Sequence, residues 1–319
     1  MSHFPLRESR NGRTAAVLGS LAVTGILLAG CSSAATKDTA AGASAPQADK
    51  ELAALLPAAV RKAGTVKLGA LWETPPLISV AASDTTKPVG VAPDLAAAVG
   101  KLLGVSVTWK NLQWPAQLPG VQSGTVDALW GQVTATEERE KSIVDLVPFY
   151  KSTESILLLD ANKSGVSALA DLCGKKIGVP VGSIQATAVK AASKKSCADN
   201  PIKLAQYNGA TAAISAVKAG SVFGWLDDTT SQDKIVQAGS GTFAAAVVPD
   251  GEMPPTYNSI AVGKNQAGLS KAFAAALKKL VANGEYAKIM AKYEVTSAEV
   301  TAAEVKINPI TGTPAGSKA

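Results

Sequence analysis

From Thr65 onward the chain alternates short apolar runs with runs of helical period, and that order admits few folds. Thr65 to Leu71 reads as a strand. Asp94 to Leu103 reads as a helix, with Leu95, Val99, Leu102 and Leu103 at helical spacing. Val105, Val107 and Trp109 alternate as a strand does; Pro115 to Gln122 is a short helix ended near Gly124; Val126 to Val133 returns as a strand. The pattern then restarts. Val166–Leu172, Ser183–Ala192, Ala210–Lys218 and Asp228–Gln237 read as helices, and Lys175–Val179, Ile202–Tyr207 and Val222–Leu226 as strands. A strand at Tyr257–Val262 and two helices follow, with Leu269, Phe273, Leu277 and Leu280 on one face of the first. This order predicts two similar α/β halves, each a parallel or mostly parallel sheet with helices on both faces. No short-period repeat is visible, which argues against a solenoid.

The N-terminus has a different composition. Arg7, Arg10 and Arg13 precede an apolar stretch from Thr14 to Leu27, the layout of a secretory signal peptide. Leu28-Ala-Gly-Cys31 then resembles the lipobox of bacterial lipoproteins, which implies that residues 1–30 are removed and Cys31 is acylated. A plain signal peptide or an N-terminal membrane helix is the alternative, although the run is short for a span of about 20 residues. Residues 31–50 are Ala, Ser, Thr, Gly and Lys with no large apolar residue to bury, so a disordered tether is expected there. A flexible tail is expected at 301–319. The mature protein is therefore expected outside the cytoplasm, anchored by lipid at the outer face of the cell membrane or held in a periplasm.

Charge excludes more than it selects. The formal charge is +6; the signal segment takes three Arg and one Glu with it, leaving +4 on scattered residues. No basic stripe points to nucleic acid. The single histidine, His3, lies in the signal segment, so the mature chain has no imidazole for a metal site, a triad or a proton shuttle. No metal and no cofactor are expected, and no enzyme. Cys173 and Cys197 remain as an even pair in an exported chain, which favours a disulfide over two buried thiols. The loop closed is about 25 residues long, for which chain entropy suggests roughly 3 kcal/mol.

Three places can carry chemistry. Thr134, Thr136 and Arg139 follow the strand that ends near Val133, at the carboxyl end where open α/β sheets bind ligands. Thr136 can cap the short helix Glu137–Lys141, and the planar guanidinium of Arg139 suits a carboxylate. A solvated arginine pairing with Glu137, Glu138 or Glu140 is the plain alternative. Gly182-Ser183 joins a strand to a helix, whose first N–H groups attract an anion; an ordinary loop would look the same. Trp225-Leu-Asp227-Asp228 ends a strand in two carboxylates, where Asp228 is either a cap or the receiver of a ligand ammonium.

Taken in order, these passages resemble the family 3 extracellular solute-binding proteins, the amino-acid-binding components of ABC importers. The resemblance runs from about residue 55 to 297. It is carried by Gly64-Thr-Val-Lys-Leu-Gly69, Gly90-Val-Ala-Pro-Asp94, Leu118-Pro-Gly-Val-Gln-Ser-Gly124-Thr-Val-Asp127, Thr134-Ala-Thr-Glu-Glu-Arg139, Val147-Pro-Phe-Tyr150, Gly182-Ser-Ile-Gln185 and Asn283-Gly-Glu-Tyr286. It implies a two-lobe periplasmic-binding-protein-like fold (type II) with two hinge strands, near Glu154–Leu158 and Met253–Tyr257. Lobe 1 would comprise 51–155 and 256–300, and lobe 2 162–248. The implied function is capture of an amino acid or similar small carboxylate by a monomer and delivery to ABC permease subunits. An exported dehydratase-like enzyme or a sensor lipoprotein is the alternative on the same fold.

The resemblance also assigns roles. Arg139 and Thr134 would hold the ligand α-carboxylate, with N–H groups from Ser183 and Ile184. The carbonyl of Gln132 and the carboxylate of Asp228 would take the α-ammonium. Trp114 would pack on the side chain, and Trp72 lies beside a strand end expected to face the cleft. Leu71 stands where binders of cationic amino acids resemble one another in having an acid, so a side chain that is uncharged, or at least not cationic, is expected.

Overall fold

The computed structural model describes residues 48–317. The signal segment, Cys31 and the tether as far as residue 47 lie outside the described residues. The tether ends earlier than its composition suggests. Asp49 donates its N–H to Leu102 O at 2.8 Å, and its carboxylate caps helix α1 (Lys50–Ala54) by accepting from the N–H groups of Glu51 and Leu52.

In chain order the body continues with α2 (Ala58–Ala63), β1 (Thr65–Ala70), and a small antiparallel sheet of β2 (Glu73–Thr74), β3 (Ile78–Ala81) and β4 (Asp84–Val89). Helix α3 (Val91–Leu103), β5 (Ser106–Asn111), α4 (Trp114–Gln122), β6 (Ala128–Thr134), α5 (Glu137–Ser142) and β7 (Val144–Ser152) complete the first pass. Then come β8 (Glu154–Leu159), β9 (Lys176–Pro180), α6 (Ile184–Ser196), β10 (Lys203–Tyr207), α7 (Ala210–Lys218), β11 (Gly224–Asp228), α8 (Thr229–Ala238) and β12 (Phe243–Val247). The chain ends with β13 (Thr256–Gly263), α9 (Ala267–Ala282) and α10 (Glu285–Lys292).

Two five-stranded sheets organise two lobes. The order is β5-β1-β6-β13-β7 in the first and β10-β9-β11-β8-β12 in the second. The βαβ strands pair in parallel, as their helical crossovers require. The other two pairings in each sheet are antiparallel and both involve one strand, so four of the five strands run the same way and only β13 in the first sheet and β8 in the second are reversed, as a mostly parallel sheet requires. The reason is that β8 and β13 enter straight from the other lobe. No crossover helix forces them to run with their neighbours. The chain changes sheets at Thr153 and again across residues 248–255. The first change precedes Glu154–Leu158, the expected hinge, because that stretch is already β8, paired with β11 and β12.

Leu95 and Val99 of α3 pack with Phe273 and Leu277 of α9 in the core of lobe 1. Gly90 opens α3 at φ 135°, and a Cβ there would stand 2.5 Å from Leu77 O, so no other residue fits. Ile177, Val179, Val189 and Leu226 form the core of lobe 2. Cys173 and Cys197 are bonded across its edge, with Cα atoms 5.2 Å apart.

The expected flexible tail is a packed strap as far as residue 317. Val305 sits in the core of lobe 1. Asn308 is fully buried. Its side chain accepts from Leu146 N at 3.0 Å and donates to Asp145 Oδ1 at 3.1 Å and to Thr313 O at 3.0 Å. Glu140 of α5 accepts from Ile310 N, Thr311 N and the Thr311 hydroxyl. The composition hid this because one small amide and one valine do the anchoring.

Candidate functional site

A cavity lies between the lobes, at the carboxyl ends of β6 and β9. Lobe 1 lines it with Leu71, Thr74, Trp114, Gln132, Thr134 and Arg139. Lobe 2 contributes Ser183, Ile184, Gln185, Trp225, Asp227 and Asp228, and the crossing strands add Ser152, Glu154 and Asn258. The lobes touch around it. Trp114 Nε1 donates to Val181 O at 2.8 Å, Gln132 Nε2 to Ser231 Oγ at 3.4 Å, and the Tyr150 hydroxyl to Thr230 Oγ1 at 2.7 Å. Away from the cavity, Glu73 accepts from Thr211 N at 2.9 Å, and Lys234 pairs with Glu294 at 2.6 Å.

On the lobe 1 wall, Thr136 caps α5 by accepting from Arg139 N at 3.3 Å. That cap turns Arg139 back toward the strand end. Its side chain is buried, donates Nη1–H to Thr134 O at 2.7 Å, and lies 5.2 Å from the centroid of the Trp114 ring. A guanidinium has five N–H donors; among the described residues the other four have no acceptor. Burial lowers its pKa, and nearby Glu138 partly offsets that. On the facing wall Ser183 caps α6, its Oγ accepting from Ala186 N at 3.1 Å. Gly182 supplies the φ of +63° that turns the chain into this cap. The N–H groups of Ser183 and Ile184 have no acceptor among the described residues. This end of the cavity therefore presents donors and positive charge.

The other end is acidic. Asp228 caps α8 by accepting from Ser231 N at 3.1 Å, accepts from the Thr230 hydroxyl at 2.6 Å, and takes a short bond from the Ser152 hydroxyl. Burial raises its pKa, and these donors oppose the rise. Burial pushes Asp227 to about 7, against the pull of its bond from the Asp228 N–H. Glu154 is driven well above the carboxylate range by burial, then by the charges of Asp227 and Asp228.

These shifts make stability depend on pH in a direction opposite to ordinary acid denaturation. A carboxyl whose folded pKa exceeds its unfolded value binds more protons in the native state, so stability falls as pH rises through that window. The ligand-free protein is expected to melt higher at pH 5 than at pH 8, and Asp227→Asn should flatten the difference. A melting temperature that rises steadily from pH 5 to pH 8 would contradict the raised carboxyls.

Seven of the eight residues expected at a ligand lie on this cavity: Trp114, Gln132, Thr134, Arg139, Ser183, Ile184 and Asp228. Trp72 does not. Its neighbours Leu71 and Thr74 face the cavity, whereas Trp72 turns into the core of lobe 1. Trp130 is likewise core, against Phe149 and Phe273. Glu154, Asp227, Gln185 and Ser152 were missed as site residues. Asp227 stood in the quoted pair of carboxylates, and Glu154 was hidden in a stretch read as hinge backbone.

Residues 66–296 match the bacterial extracellular solute-binding proteins, family 3. The L-arginine-binding protein of Pseudomonas aeruginosa is 29% identical over 204 residues, which span 63% of this chain and 77% of that protein. The arginine-binding extracellular protein of Bacillus subtilis is 27% identical over 208 residues, 64% of this chain and 77% of that one. Among solved structures, an ancestral arginine-binding protein bound to glutamine superposes with a TM-score of 0.65 at 27% identity, covering 73% of this chain and 98% of that chain.

Proposed function

The chain belongs to the bacterial extracellular solute-binding proteins of family 3, and from that membership we propose that it captures an amino acid outside the membrane and delivers it to an ABC importer. The observation that carries the reading is the polarity of one cavity. Arg139 and the open N–H groups of Ser183 and Ile184 stand at one end, and Asp228 at the other. A zwitterion with its carboxylate on the guanidinium and its ammonium on Asp228 satisfies both ends. Thr134 and Gln132 support the two ends from lobe 1, and Trp114 packs on the bound molecule. The matched relatives are named for amino-acid binding, which supports the same class of ligand here.

Because the ligand touches both lobes, it favours the arrangement in which they meet, and a permease can read that arrangement. The protein acts as a monomeric binder rather than an enzyme. Residues 1–30 are its signal and Cys31 its lipid anchor, which holds it near the permease. Membrane fractionation of Cys31→Ala tests the anchor, and a variant that stays membrane-bound refutes it.

A thermal-shift screen of the soluble body against all amino acids tests the function. A ligand at 100 times its Kd should add about 2.7 kcal/mol of stability. If no amino acid raises the melting temperature, the reading falls.

A further inference from the structure

An α-amino acid held at both ends leaves two of the cavity's acids without a counter-cation among the described residues. Glu154 is the direct antiparallel partner of Asp228, Cα against Cα across β8 and β11. Opposed residues in such a pair hold their side chains on one face with Cβ atoms about 4.5–5.5 Å apart, and like charges placed so repel. Asp227 is the next residue along. Glu154 is 3% exposed and Asp227 6%, and both line the cavity.

Their protein partners are few. Glu154 accepts one bond from Gln185 Nε2 at 2.9 Å, and Asp227 accepts from the Asp228 N–H at 2.9 Å and is also held by the Trp225 indole. An ionised carboxylate has about four acceptor positions, so most of theirs are open. Arg139 is the only cationic side chain lining the cavity among the described residues, and it sits on the other lobe against Thr134 O and Trp114. Asp228 is answered by a ligand ammonium. Among the described residues no cationic side chain answers Glu154 and Asp227, and a buried carboxylate without a counter-charge is costly.

We propose that Glu154 and Asp227 form a subsite for a second cationic group, so that the captured solute is an amino acid with a guanidinium or ammonium on its side chain. This rests on the zwitterion reading above and narrows it. It replaces the expectation of an uncharged side chain drawn from Leu71. The acid missing on lobe 1 is supplied from lobe 2, by the end of β11 and its partner strand. The raised pKa of both groups is what carboxyls show when their counter-cation is absent.

The test compares ligands that differ in side-chain charge while keeping nearly the same shape. Calorimetry on the wild-type protein should find arginine bound at least about tenfold more tightly than citrulline, or lysine than norleucine. Glu154→Gln should reduce that preference to within a few-fold (about the scatter of such measurements). Asp227→Asn should do the same in part, and it decides the matter if Glu154→Gln does not fold. Citrulline or norleucine binding as tightly as its charged counterpart overturns the subsite but leaves amino-acid capture standing. A Glu154→Gln variant that weakens all four ligands equally also overturns it. Failure of every amino acid to bind overturns both readings.

Discussion

Arg139→Ala is expected to leave the protein folded and nearly unable to bind its solute. The guanidinium makes one bond to the protein, to Thr134 O, and lies near Trp114, so the fold loses little. On the proposed zwitterion reading, the ligand carboxylate would lose the only cationic side chain that lines the cavity among the described residues. Removing one partner of such a pair costs about 2–5 kcal/mol, a rise in Kd of roughly thirty- to several-thousand-fold. Arg139→Lys should recover part of this, since it restores charge but not the planar fork. Calorimetry with the ligand found in the amino-acid screen checks both variants. Unchanged affinity in Arg139→Ala would remove Arg139 from the site.

Ending the chain after Val300 should cost more stability than any single substitution at the cavity. The strap buries Val305 and brings Asn308 to Asp145 and Leu146. It also gives three donors to Glu140 and, through Gly316 N, a further one to Asp145. Both carboxylates are fully buried. Hydrogen bonds to charged groups contribute about 1.5–3 kcal/mol each, and water entering the vacated groove offsets part of the loss. A net loss of about 3–6 kcal/mol is expected, a fall in Tm on the order of 10 °C. Because Glu140 neighbours Arg139 on the short helix α5, ligand affinity should drop as well. A shortened protein that melts within about 2 °C of the full chain, well inside the effect of 1 kcal/mol, would show the strap to be dispensable.

The local order of this protein was readable from residue type alone. Helix α7 runs from Ala210 to Lys218 as its periodicity predicts, and β1, α3, β6 and β10 differ from prediction only at their ends. The caps at Thr136, Ser183 and Asp228 follow from short polar side chains standing before helical runs. Residue type alone left Arg139 a solvated cation and Asp228 a cap; it was the family resemblance that carried both to the cavity they line.

What only tertiary structure decided depends on segments that meet from far apart. Strand β7, Val144–Ser152, is buried along almost its whole length, so it shows no alternation to read, and Asp145 and Pro148 interrupt its apolar run. The directions of β8 and β13 are set by the passage between lobes, which turns one strand of each sheet against the other four. Trp72 goes to the core of lobe 1 although its neighbour Leu71 lines the cavity, a division that residue type does not reveal. Glu154 faces the cavity only through its register with Asp228, 74 residues further on. Composition and period specify which face of an element is apolar. The partner that covers that face, or the charge that stands across from it, is set by long-range pairing, and no local pattern encodes that.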